Sequence, residues 1–204
     1  MDVRPLAIEG AWEFTPKLWG DERGVFVEAF KSDVFAATVG HDFTVKQVNT
    51  SASAAGVLRG IHFADVPPSQ GKYVACTHGA VLDVVVDIRV GSPTFGQWDS
   101  VLLDDRDRRA VYLSEGLGHA FISLADGSTV TYLCSAPYAP ARERELHPLD
   151  PGVGIDWPRV ARDGSPLSFE LSAKDQAAPS LEEAAASGLL PNYDEVLTFR
   201  RTLS

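Results

Sequence analysis

Cysteine is scarce in this chain. Among 204 residues only Cys76 and Cys134 carry a thiol, and they form no Cys-x-x-Cys pair. Two such thiols supply neither a disulfide framework nor a zinc cage, and they read as reduced, packed side chains of a cytosolic protein. Positive charge is also short: 18 Lys and Arg face 28 Asp and Glu, for a net charge of −10. A general nucleic-acid binder needs a basic face that releases counterions, so that class is excluded. An anionic small ligand stays open only where a few Arg and Lys gather locally against the overall field. No apolar run approaches a membrane-spanning length, and Met1-Asp2-Val3-Arg4-Pro5 is followed by no secretory apolar core. A P-loop, a Gly-x-Gly-x-x-Gly turn and a Ser-His-Asp order are absent too.

What is present is ordinary globular material, 45% hydrophobic and 23% charged, which excludes disorder and coiled coil. The length fits one domain over 1–204, with a strand-rich part over about 10–135 and a wrapping segment over 136–204. Runs rich in Val, Thr, Phe and Tyr predict strands over 11–15, 25–30, 44–51, 57–63, 72–77, 80–88, 98–103, 110–113, 119–124 and 129–135. Turn clusters such as Asp21-Glu22-Arg23-Gly24 and Asp126-Gly127-Ser128 separate them. Ser32 is expected to cap a helix through Val39 with Gly40 at its exit, and Ser180-Leu181-Glu182-Glu183 opens a second that Gly188 closes. Many short strands without alternating helices predict an all-β sandwich or barrel with a few short peripheral helices.

Four side chains could carry chemistry. His62, in Leu58-Arg59-Gly60-Ile61-His62-Phe63, is either a general base at a barrel mouth or a satisfied core histidine. Strict alternation puts His62 and Arg59 on opposite faces, so a shared site requires a bulge or a long reach by Arg59. His119, after Ser114-Glu115-Gly116-Leu117-Gly118, has small neighbours that admit a ligand, or it merely caps a loop. Lys72 begins a strand. Tyr132, in Thr129-Val130-Thr131-Tyr132-Leu133-Cys134, fills a core or donates a proton into a cleft. A metal-dependent barrel with His62 and His119 as ligands lacks a third ligand, because Ala64 stands two residues after His62. His41, His78 and His147 read as surface residues.

In family order, the chain also carries Asp21-Glu22-Arg23-Gly24-Val25-Phe26, Gln47-Val48-Asn49, Leu58-Arg59-Gly60-Ile61-His62-Phe63 and Val86-Asp87-Ile88-Arg89-Val90-Gly91-Ser92-Pro93-Thr94-Phe95-Gly96. Glu115-Gly116-Leu117-Gly118-His119-Ala120-Phe121, Thr131-Tyr132-Leu133-Cys134, Ile155-Asp156-Trp157-Pro158 and Leu171-Ser172-Ala173-Lys174-Asp175 follow. Together these segments resemble the dTDP-4-dehydrorhamnose 3,5-epimerases, cupin-type jelly rolls that act on a deoxysugar nucleotide. The resemblance implies His62 as general base, Asp175 as the carboxylate that holds its imidazole, Tyr132 as general acid and Lys72 as enolate stabiliser. It implies that Arg23, Phe26, Glu28, Gln47 and Asn49 bind substrate, as do Arg59, His119, Tyr138, Glu143 and Lys174. Arg23 and Glu28 would come from the neighbouring subunit of a homodimer, and neither metal nor organic cofactor would be used.

Such groups suit the reaction. A ketone at C4 acidifies the hydrogens at C3 and C5, so inversion needs a base on one face, an acid on the other and positive charge near O4. Gly118-His119-Ala120-Phe121 departs from the more usual Ala-His-Gly-Phe, a variant similar to that of relatives that build antibiotic sugars, some of which invert one centre only. Ser172-Ala173-Lys174-Asp175 lacks a common acidic residue at 173. Conversion of dTDP-4-dehydro-6-deoxy-D-glucose to dTDP-4-dehydro-L-rhamnose is therefore the leading reading and mono-epimerisation the second, with Tyr138 a candidate determinant.

Overall fold

The computed structural model describes residues 1–203. Its strands are β1 (Asp2–Pro5), β2 (Ala11–Thr15), β3 (Leu18–Asp21), β4 (Gly24–Val27), β5 (Gln47–Ser53), β6 (Leu58–Ala64), β7 (Lys72–His78), β8 (Ala80–Val86), β9 (Trp98–Asp104), β10 (Ala110–Leu113), β11 (Gly118–Ser123), β12 (Ser128–Cys134) and β13 (Glu143–Glu145). Short helices are α1 (Ser32–Val39), α2 (Ala173–Gln176), α3 (Leu181–Ala186) and α4 (Tyr193–Arg200). A six-stranded sheet, β1-β2-β10-β7-β12-β5, faces a five-stranded sheet, β13-β6-β11-β8-β9. All their pairings are antiparallel. The two sheets make a sandwich rather than a closed barrel, within the expected all-β jelly-roll class. No helix among the described residues is long and apolar enough to cross a membrane.

The period-2 pattern sorts the side chains. Val74, Cys76, Val111 and Val130 of one sheet meet Val81, Val85, Val101 and Phe121 of the other in the buried centre. Val84, Val86, Ala120 and Ile122 point the opposite way and are covered by the C-terminal segment, through Val153, Trp157, Leu167, Leu181 and Ala184. On the outer side of the six-stranded sheet, α1 buries Phe35 completely against Phe14, Tyr73 and Tyr112. The edge of the Tyr112 ring meets Phe35 at a centroid distance of 4.7 Å, a geometry that adds to simple area burial.

Several expectations need correction. Ser32 does not cap α1: Lys31 occupies that position without a side-chain hydrogen bond, and Ser32 lies inside the first turn. Gly40 does close the helix in the left-handed conformation, at φ 93°. The expected strand over 25–30 is the shorter β4, hairpin partner of an unforeseen β3, and the strand over 44–51 shifts to Gln47–Ser53. Helices α2 and α4, and strands β1 and β13, were also unforeseen. Ser180 and Glu183 form the expected reciprocal capping box. His78 is exposed, whereas His41 and His147 are half-buried.

One irregularity matters for function. Strand β6 pairs His62 with His119 but Arg59 with Phe121, so β6 carries one extra residue in that interval. This bulge returns both Arg59 and His62 to the inner face, resolving the conflict with strict alternation. Gly60 sits within it at φ 116°, where an added Cβ would lie 2.6 Å from both the Ala120 Cβ and the His119 carbonyl oxygen. Gly60→Ala should therefore destabilise the protein by about 1–3 kcal/mol, from backbone strain plus overpacking. Urea denaturation checks it, as a lower midpoint at unchanged slope.

Candidate active site

Between the two sheets a cavity of about 550 Å³ opens. The bulge in β6 presents Arg59 and His62 to it, and β11 presents His119. The facing wall is built from the six-stranded sheet: Asn49 on β5, Lys72 on β7 and Tyr132 on β12. Register makes this wall coherent, because Tyr132 pairs with both Asn49 and Val74. Alternation along β7 and β12 then turns Lys72 and Tyr132 inward together. His62 and Tyr132 thus stand on opposite walls of one space.

Asp175 reaches His62 from α2. The Ser172 hydroxyl caps that helix by accepting from the Asp175 N–H at 3.1 Å, and it donates to Asp175 Oδ2 at 2.8 Å. Oδ1 lies 2.8 Å from His62 Nε2, leaving the other ring nitrogen to exchange a proton. Burial pushes the Asp175 carboxyl up, but the contacts with His62, Ser172 and Lys174 outweigh it and hold the group below the usual range. Asp175 is consequently ionised at neutral pH.

The facing groups are biased otherwise. Burial pulls the Lys72 ammonium down from its ordinary value, with Glu143 as the largest opposing influence. The Tyr132 hydroxyl, 3.4 Å from Ser51 Oγ, is pushed well above its ordinary value, chiefly by burial, and stays a proton donor through neutral pH. The His119 ring stands edge-on to Tyr132 at 6.0 Å and is held by Asp83, at 2.8 Å from Nε2 to Oδ2.

Arg59, Glu143 and Lys174 also line the cavity, and Tyr138 stands exposed at its rim. Arg59 Nε donates to Ser53 Oγ at 3.1 Å, and Lys174 Nζ lies 2.8 Å from Glu145 Oε2. That contact raises the Lys174 ammonium above its ordinary value. Gln47 does not line the cavity. It stands at the start of β5, two residues from Asn49, donating to Asn49 Oδ1 at 2.7 Å and accepting from the Tyr138 N–H at 2.8 Å. Arg23, Phe26 and Glu28 also stand outside it, with Arg23 and Phe26 on the β3–β4 hairpin and Glu28 just after β4. Arg23 pairs there with Asp21, and Glu28 lies 3.5 Å from Lys31.

Sequence reasoning missed Gln70, Arg144, Glu145, Glu170 and Ser172 in the lining, and Asp83 behind His119. Asp83 had a signal, a lone carboxylate within the apolar run Ala80–Val86. Glu-Arg-Glu in β13 had none, since no apolar alternation marks it. No group of three or more His, Cys, Asp or Glu among the described residues is arranged to hold a metal ion. His62 and His119 are instead each paired with a separate carboxylate.

Comparison with known proteins gives a consistent outcome. The family model for dTDP-4-dehydrorhamnose 3,5-epimerase matches residues 5–183. A dTDP-4-dehydrorhamnose 3,5-epimerase of Mycolicibacterium smegmatis is 59% identical over 203 residues, covering 100% of this chain and 97% of the relative. The structure of a Mycobacterium tuberculosis epimerase superposes with a TM-score of 0.94 at 54% identity, covering 100% of both chains. That of a 3'-monoepimerase from Streptomyces bikiniensis, in complex with dTDP-quinovose, gives 0.91 at 49% identity, covering 98% of each. The chain belongs to the dTDP-4-dehydrorhamnose 3,5-epimerase family.

Proposed function

We propose that the protein converts dTDP-4-dehydro-6-deoxy-D-glucose to dTDP-4-dehydro-L-rhamnose by inverting C3 and C5. The observation that carries this reading is the placement of His62 and Tyr132 on opposite walls of one cavity, with Lys72 beside Tyr132. His62 takes the proton alpha to the C4 ketone, and Asp175 stabilises the imidazolium that forms. The electron pair moves onto O4, where the Lys72 ammonium meets the developing charge. At ~4 Å and an effective dielectric of ~20, such a pair attracts by roughly 4 kcal/mol, enough to favour enolate formation substantially. Tyr132 then protonates the same carbon from the other face, and the centre is inverted. His62 then releases its proton to solvent and Tyr132 takes one up from solvent, and the same exchange at the second carbon completes the reaction.

Arg59 and Lys174 are local cations in a net-acidic protein and suit the diphosphate; Tyr138 at the rim suits a flat ring. Arg23, Phe26 and Glu28 serve the site of a second subunit in this reading. The exposed apolar side chains Leu18, Trp19, Val25 and Phe26 of the hairpin support a homodimer that covers them. Two buried, unpaired cysteines suit the reducing cytoplasm.

The similarity to the Streptomyces bikiniensis 3'-monoepimerase favours inversion at C3 alone as the second reading. Turnover of the 4-keto substrate in deuterium oxide separates the two. Label at both C3 and C5 is expected, whereas label at C3 alone would establish the second reading, and label at C5 alone or none at all would overturn both.

A further inference from the structure

We propose that Glu115 is a positioning residue for Lys72: its buried carboxylate anchors the strand entry that sets where the ammonium stands in the cavity. The proposal rests on the epimerase reading and adds a residue to it that does not line the cavity.

Glu115 lies in the turn between β10 and β11 and is 3% exposed. Its Oε1 accepts from the Gly71 N–H at 3.1 Å and from the Ser135 hydroxyl at 2.9 Å. Ser135 completes the clamp, because its Oγ accepts from the same Gly71 N–H at 2.8 Å and its own N–H donates to the Gly71 carbonyl at 2.9 Å. Both backbone polar groups of the residue before Lys72 are thereby tied. The pairing of Lys72 with Cys134 directly follows this clamp and is the terminal rung of the β7–β12 ladder, where strand pairs open most readily. A second tie, from the Gly116 N–H to buried Ser69 Oγ at 3.3 Å, holds the same turn against the loop that leads into β7.

Gly71 and Glu115 are matched in space. A Cβ at position 71 would sit 2.8 Å from Glu115 Oε1 and 3.2 Å from the Tyr112 hydroxyl, so only glycine lets the carboxylate approach this backbone. The placement matters because charge stabilisation of an enolate depends on where the cation stands when charge develops. A misplacement of ~1 Å can cost on the order of a hundredfold in rate.

The test is a double-mutant cycle on the full chain, read as kcat and KM for the 4-keto substrate. Glu115→Ala is expected to lower kcat by about tenfold or more, with KM nearly unchanged, through misplacement alone. Glu115→Gln should recover most of that loss, since its amide oxygen can accept the same two hydrogen bonds. Gly71→Ala, which displaces the carboxylate, should mimic Glu115→Ala. In a Lys72→Ala background each substitution should cost less than about twofold, because the group being positioned is gone. Equal fractional losses with and without Lys72, or an unchanged kcat with only a lower Tm, would overturn the proposal. An inactive wild-type protein would instead overturn the epimerase reading itself, so the two failures are distinct.

Discussion

Replacing His62 by alanine is expected to lower kcat by about 10²–10⁴-fold, the range for loss of a positioned general base. The expectation rests on arrangement rather than on residue type. His62 is brought inward by the extra residue in β6, and its Nε2 lies 2.8 Å from a carboxylate itself fixed by the Ser172 cap. No other histidine can take over: His119 is buried with its ring committed to Asp83, and the remaining three lie outside the cavity. Asp175→Asn should act through the same proton, since an amide cannot stabilise the imidazolium by charge. Its loss and that of His62→Ala should be strongly non-additive in the double variant. Steady-state turnover, corrected for folded fraction, measures both effects.

The second large effect belongs to Lys72. Lys72→Ala removes the lysine that the Tyr132 wall presents to the cavity and should cost about 10²–10³-fold in kcat, comparable to losing an oxyanion donor. Its pH behaviour follows from burial. The Lys72 ammonium is pulled below the ordinary lysine value, while the Tyr132 hydroxyl is pushed well above the ordinary tyrosine value. The proposed mechanism requires the charged amine and the neutral phenol. The charged amine is present below the Lys72 pKa and lost as pH rises through it, so Lys72 sets the alkaline limb before Tyr132 ionises. Lys72→Arg, whose guanidinium stays charged, should retain partial activity and move that limb upward. A limb unmoved by Lys72→Arg would assign it to another group.

Part of the site was legible because its candidate side chains lie on strands that the sequence marks. Lys72 and Tyr132 stand out as polar groups on the strands that became β7 and β12, but the residues alone leave Tyr132 as core filler or proton donor, and only the resemblance gives the two their roles. The common face of His62 and Arg59 does not follow from alternation, because a bulge changes the count; Gly60 in mid-strand was its only local signature. Asp175 sits on a helix of four residues, too short for any periodicity, and only the resemblance placed it beside His62. Strand β3 went unforeseen, and β4 was read three residues too long, because Leu18, Trp19, Val25 and Phe26, though apolar, stand exposed on the hairpin rather than in a core. Helix α4 had a readable start, as Asn192 accepts from the N–H groups of Asp194 and Glu195, but its polar composition hid the periodicity. Which carboxylates back the cavity side chains depends on long-range register, which local pattern does not encode.

The opposed placement of base and acid is tested most directly by the Tyr132→Phe variant in deuterium oxide. With His62 intact and the phenol removed, protons should still leave the carbons next to the ketone and return from the same wall. Deuterium should then enter C3 or C5 with configuration retained, at a much reduced yield of inverted sugar. Inverted product forming at the wild-type rate would show that the proton arrives from some other group, and would contradict the two-wall mechanism.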